Sequence, residues 1–306
     1  MPALDPPSFF FWKKPRQLID IRQAKNFLKG SLENARSIPE NDYSSLEDLR
    51  HKIHNLQGTG SLHLIDRNGT TSEYLSQDSL ITYLEGGYEA FKKWRDVAFN
   101  NGPQLYLIGG YSGSGKTDFL IYLEHHRHQV INLESLSGHK GSTFGSNNPQ
   151  PLHDTFQNTL LHQWYSFQPG AALWIEEKGP FLGQVGIPSS LYKKMLEATM
   201  IHLDVDFEQR LRHIMETYDI VDVQAFRRSI QMLEERMGTS QNHKALHFYD
   251  NGEKEHCFEL LLRYYDRAYE KRREKYRSGK IVHIKHAHDD LAGTLEKIEM
   301  ALQSFA

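Results

Sequence analysis

The chain has 306 residues, of which 39% are apolar and 25% charged, with a formal net charge of −3. This balance excludes a disordered, collagen-like or coiled-coil chain, and it shows no global basic excess for nucleic acid. The length is a soft prior for two domains.

In chain order, Leu18 to Arg22 reads as a buried strand, and Gln23 to Lys29 as a short helix stopped by Gly30. Ala35 to Ile38 is a second strand. Leu46, Leu49, Ile53 and Leu56 carry helical spacing within 43–56. Leu62 to Ile65 and Leu80 to Leu84 read as further strands, and Tyr88 to Phe99 as a helix. Strands alternating with helices predict a parallel sheet. Asn100-Asn101-Gly102-Pro103 is a breaker cluster, so residues 1–100 and 104–306 are expected as two α/β domains. In the second, strands are expected at Leu105–Ile108, Val130–Leu133, Ala171–Ile175, Ile201–Asp204 and Ile281–Ile284. Residues 207–279 read as mostly helical, and Leu291 to Phe305 as a last helix.

Gly110-Tyr111-Ser112-Gly113-Ser114-Gly115-Lys116-Thr117 matches GxxxxGK[ST], after an apolar strand and before a helical run from Asp118 to Arg127. Glycines permit the backbone to turn successive N–H groups onto a phosphate, and the helix N-terminus adds partial positive charge. Gly110, Ser112, Gly113, Ser114, Gly115, Lys116 and Thr117 are therefore the predicted diphosphate site. Lys116 would reach the terminal phosphates, and Thr117 would hold Mg²⁺. The strand ending Trp174-Ile175-Glu176-Glu177 would place a carboxylate beside that metal, with Glu176 as the first candidate for a metal or water ligand and Glu177 as the second. A second loop, Gly138 to Gly145, offers His139 and Lys140 to an anionic group at the carboxyl ends of the strands. Arg210 follows the Ile201–Asp204 strand and is placed to close over transferring phosphates.

Residues 263–280 hold eight basic residues against three acids, interleaved with Tyr264, Tyr265, Tyr269 and Tyr276. Basic groups there would track RNA phosphates, and tyrosines would stack on exposed bases. A solvated helix with core-facing tyrosines is the competing reading. His125, His126 and His128, and His283, His286 and His288, invite a metal reading, but the first cluster lies at a helix end beside Arg127 with no acid or cysteine to complete a ligand set, so solvated helix-end histidines are expected. The single cysteine, Cys257, excludes an internal disulfide and any Cys-based zinc or iron–sulfur site within one chain. No disulfide-linked partner is expected, a reducing cytoplasm fits, and the setting of Cys257 reads as core. Met1 to Lys14 lacks a signal-peptide pattern, and no apolar run approaches the ~20 residues that span a bilayer.

The ordered motifs resemble the tRNA 2-selenouridine synthase family, a rhodanese-like parallel-sheet domain followed by a P-loop NTPase-like α/β domain with a helical C-terminal part. The resemblance runs through Leu18 to Arg22 with Gly30 and Ala35, Leu84 to Ala90, Leu107 to Gly110 and the P-loop. It continues through His139 to Gly145, Asn148-Pro149-Gln150, Leu173 to Glu177, Phe207 to Arg210 and Tyr264-Tyr265-Asp266. It implies a transferase acting on wobble 2-thiouridine in tRNA. Such enzymes prenylate the sulfur from geranyl diphosphate and replace it with selenium from selenophosphate, a step assigned to a cysteine in the rhodanese loop. Here the matching loop, Leu64 to Ser72, has no cysteine; that position falls on Ile65 or Asp66, and Thr71 stands where the family has a second arginine. Neither Ile65 nor Asp66 can form a thiolate, so no selenium transfer through this loop is expected. A carboxylate at Asp66 would also repel an anionic ligand. The expected ligand is ATP or geranyl diphosphate with Mg²⁺, and the expected partner is tRNA. An ATP-dependent kinase of a nucleoside or small metabolite, and a non-catalytic tRNA-binding protein, are the alternatives.

Overall fold

The computed structural model describes residues 3–13, 16–56, 61–76, 81–139, 149–218, 223–276 and 278–304. Contacts group the chain into two units. The first comprises Met1–Gly102, Gln150–Ser166 and Gly183–Leu191; the second comprises Pro103–Pro149, Phe167–Leu182 and Tyr192–Ala306. The two returning stretches depart from a linear division into 1–100 and 104–306.

The first unit holds a parallel sheet of β1 (Ala3–Leu4), β2 (Arg16–Asp20), β3 (Ala35–Ser37), β4 (Ser61–Ile65) and β5 (Ile81–Leu84), in the order β1-β5-β4-β2-β3. Its central strands are buried on both faces, which accounts for apolar runs rather than alternation. Ile19, Ile21, Leu49, Ile53, Leu62, Leu64 and Ile81 form one core. The His153–Ser166 helix belongs to this unit. It presents Asp154 and Asn158 to Arg95, which is 1% exposed and donates to them at 3.1 and 2.6 Å. A buried guanidinium needs such partners, because an unpaired charge in the interior is strongly destabilising.

The second unit holds β6 (Gln104–Gly109), β7 (Gln129–Ile131), β8 (Ala172–Glu176), β9 (Thr199–Asp204) and β10 (Ile281–Lys285), in the order β10-β9-β6-β8-β7, all parallel. The Lys116–His125 and Leu291–Gln303 helices pack on it through Phe119, Leu120, Leu123 and Ile298. From Phe207 to Tyr276 the chain is largely helical, with a separate core around Phe226, Ile230, Cys257, Phe258 and Leu261. The chain is thus the expected mixed α/β protein with two parallel sheets and a helical C-terminal part. Among the described residues no helix is long and apolar enough to cross a membrane.

Candidate functional site

The central strand β6 delivers Gly110 to Thr117 to the carboxyl edge of the second sheet. Gly110 has φ +144°, and a Cβ there would meet Ser114 Oγ at 2.5 Å. Gly115 has φ +71°, caps the Lys116–His125 helix, and would set a Cβ 2.9 Å from His288. Only glycine accommodates both the backbone and the crowding. The loop is therefore wrapped tightly by its neighbours. His288 Nε2 lies 2.9 Å from the Gly113 carbonyl, and His286 is 3% exposed behind it, with Nδ1 2.8 Å from Thr294 Oγ1.

Lys116 Nζ donates to the Tyr111 carbonyl at 2.8 Å. Burial pushes its pKa down to about 8, against the pull of Glu176. Because β8 pairs directly with β6, Thr117 and Glu176 come together: Thr117 Oγ1 donates to Glu176 Oε2 at 3.4 Å. The other Glu176 oxygen accepts from Lys178 Nζ at 2.6 Å, and Lys178 also reaches Glu134 at 2.5 Å. Glu176 is 4% exposed. Its Oε2 is turned to Thr117. Hydroxyl and carboxylate oxygens are the donor set that Mg²⁺ takes, so Thr117 and Glu176 fit such an ion. Glu177 turns elsewhere and accepts from Tyr269 Oη at 2.6 Å, while Tyr269 Oη accepts from the Gly110 N–H at 3.3 Å.

Arg210 is 4% exposed and makes a bidentate pair with Asp266 at 3.0 and 2.8 Å. It also donates to the Ser112 carbonyl at 3.0 Å, and its guanidinium lies 4.8 Å from the Tyr111 ring centroid. This geometry braces the loop from behind. The predicted loop residues, Glu176 and Arg210 thus assemble in one place. His139 follows the Leu133–Ser137 helix and its Gly138 cap, its N–H bonded to the Glu134 carbonyl at 3.2 Å, while Lys140 and the rest of its loop to Asn148 lie outside the described residues.

Glu134 carried no sign of this role in the sequence, and Lys178 only its place two residues past Glu176. Tyr269 was expected to face bases, and His286 and His288 to be solvated, whereas His286 is 3% exposed and His288 lies against the Gly113 carbonyl. The tyrosine reading of 263–280 is corrected. Tyr264 and Tyr265 pack against the helical core, and Tyr269 is held by Glu177, so these three do not offer rings to bases. The side chain of Tyr276 lies outside the described residues. Cys257 is fully buried, and burial pushes its thiol up to about 12, the inert condition expected of a core cysteine.

In the first unit, Ile65 is buried at the end of β4 and Asp66 begins the loop. Asp66 Oδ1 accepts from the Gly69 N–H at 2.6 Å, and Oδ2 accepts from Thr71 and Ser72 N–H groups at 2.8 and 3.1 Å. The amides of the loop thus converge on a carboxylate belonging to the chain itself.

Residues 103–248 match the family model of the tRNA 2-selenouridine synthase AAA domain. A tRNA 2-selenouridine synthase of Shewanella piezotolerans is 31% identical over 160 residues, covering 50% of this chain and 42% of the relative. One of Shewanella denitrificans is 27% identical over 263 residues, covering 72% of this chain and 70% of the relative. Several matches of the first kind span about two fifths of the curated relatives' length. A rhodanese-like domain protein of Staphylococcus aureus aligns at a TM-score of 0.24 and 20% identity, covering 30% of this chain and 91% of that one. Residues 103–248, with their phosphate loop and its paired acid, are thus similar to the AAA domain of tRNA 2-selenouridine synthases.

Proposed function

We propose that this protein is a tRNA-modifying transferase acting on wobble 2-thiouridine, with a small-molecule diphosphate bound at the P-loop and no selenium step on the rhodanese-like loop. The observation that carries this reading is the juxtaposition of Lys116, Thr117 and Glu176 within the stretch that matches the family model. Loop N–H groups and the helix N-terminus receive the phosphate oxygens, and Lys116 exchanges the Tyr111 carbonyl for the terminal phosphate. Mg²⁺, when held by Thr117 and Glu176, supplies charge neutralisation on those oxygens. With geranyl diphosphate as donor, the tRNA sulfur forms a bond to carbon as the carbon–oxygen bond breaks, the base gives up its N3 proton to the departing diphosphate or to water, and the loop stabilises that diphosphate. Arg210 acts as a positioning residue through Ser112. The loop at Asp66 has no thiolate and fills its own amide cradle, so it takes no covalent part.

The test is incubation of the protein with 2-thiouridine tRNA and geranyl diphosphate, with and without selenophosphate, followed by mass spectrometry of the nucleosides. Geranylated 2-thiouridine is expected, absent in Lys116→Ala, with no selenouridine. Selenouridine made by the wild type would overturn the expected absence of selenium transfer, and its loss in Cys257→Ser would move that step to the lone cysteine. Unchanged 2-thiouridine together with phosphorylation of a nucleoside by ATP would replace the reading by a kinase.

A further inference from the structure

The carboxyl ends of β9 and β10 carry a second constellation, separate from Thr117 and Glu176. The two strands run parallel with His202 opposite His283. Side chains two residues apart on a strand share a face, so Asp204 projects beside His202. His202 Nδ1 lies 2.9 Å from Asp204 Oδ1, and His283 Nδ1 lies 3.0 and 3.1 Å from the two oxygens of Asp204. One ligand atom from each residue falls within 4.8 Å of the others. An ion with bonds of about 2.0–2.2 Å to nitrogen and oxygen holds its ligand atoms roughly 3–4 Å apart, so the three side chains need little movement to share one.

We propose that His202, Asp204 and His283 bind a first-row divalent cation of the Zn²⁺ class. Three features carry the assignment. The donor set is two imidazoles and one carboxylate, which selects against Mg²⁺ and suits Zn²⁺, Co²⁺ or Ni²⁺. Among the described residues, the ion-pair partners of Asp204 are these two histidines, with no lysine or arginine neutralising the carboxylate. The site is anchored at depth and open at its rim: the His202 side chain is 1% exposed, those of Asp204 and His283 45% and 53%. An ion can therefore enter from solvent and retain positions for water or a ligand oxygen, as in three-ligand sites. Burial also lowers the pKa of His202, which keeps its imidazole neutral and able to donate a lone pair.

The location gives the ion a neighbour. His202 pairs in register with Gly109, the residue before the P-loop, and its ring meets that of Tyr111 edge-on at 5.4 Å. The Zn²⁺-class ion would thus lie on the β9 flank of the P-loop, while the oxygen ligands for Mg²⁺ lie on the β8 flank. Two cations of different chemistry are sorted to the two sides of one loop.

The experiment is titration of the full chain with Co²⁺, followed by its visible absorption, then displacement by Zn²⁺. One Co²⁺ per chain is expected. Asp204→Asn and His283→Ala should each weaken binding at least tenfold. A chain with His125, His126 and His128 all changed to alanine should bind as the wild type does. His283→Cys should add a thiolate-to-Co²⁺ charge-transfer band, a sign of direct ligation that loss of folding cannot mimic. Absence of binding by the wild type, unchanged affinity in both ligand variants, or loss of binding in the triple variant would each overturn the site.

Discussion

Asp66 satisfies three backbone donors that have no other partner in its loop. Removing the acceptor leaves buried N–H groups unpaired, at a cost of about 1–3 kcal/mol. Asp66→Ala should therefore lose about that much stability in urea denaturation, and Asp66→Asn less; a loss under about 0.5 kcal/mol would show the cradle to be slack. Lys116 yields a pH dependence. Burial holds its pKa at about 8, below the ordinary lysine value, while a bound diphosphate favours the charged form. Above pH 8 the free protein carries a neutral Lys116 and must take up a proton on binding. Affinity for the diphosphate should fall as pH rises through about 8. Calorimetry in buffers of different ionisation enthalpy should register proton uptake at pH 8.5, absent in Lys116→Met. Both residues stood out in the sequence, one by its motif and one by a missing thiol. His202 did not, because a histidine inside an apolar strand carries no sign of what lies on the strand beside it.

At the scale of elements, the strands were legible wherever apolar runs were bounded by glycine or proline, and β6, β8 and β9 fall within a residue or two of their expected places. The His153–Ser166 helix was not foreseen. Its buried face includes Asp154, Gln157 and Asn158 as well as Phe156, Leu160 and Trp164, so the apolar period is broken by polar residues whose partners are distant. The Lys254–Tyr276 helix was legible as a helix, but its faces were not. Arg273 is 19% exposed and tied to Glu270, and Arg272 leans on Glu177 at 4.0 Å, whereas Arg267 and Lys271 are exposed. A tRNA contact on this helix would run through its exposed cations, Arg267 and Lys271 among them. Changing Arg267 and Lys271 to glutamine should flatten the salt dependence of tRNA binding by up to about two phosphate contacts' worth. An unchanged slope in a filter-binding series would assign the helix to packing alone.

At the scale of the whole molecule, neither unit is a continuous stretch of chain. The first gathers Gln150–Ser166 and Gly183–Leu191 back to Met1–Gly102. A fragment of residues 1–102 keeps every strand of its sheet but leaves Arg95 without Asp154 and Asn158, and Phe10 without His162, whose ring centroid lies 4.1 Å away. Stranding a buried charge costs about 3–5 kcal/mol, much of a small domain's margin. This fragment should show no cooperative thermal transition by circular dichroism; a sharp melt would mean that the returning helix is dispensable. Composition and periodicity gave no sign of this return, since it depends on polar contacts between segments some 60 residues apart. The same connectivity sets a timetable on the ribosome. When Gly102 leaves the exit tunnel the first sheet is complete in sequence, yet its last helical partner has not been made. At about 5–20 residues per second, synthesis from residue 103 to 191 takes on the order of 5–20 s. For that interval the nascent protein carries an unfinished core, and a holding chaperone would find its substrate there.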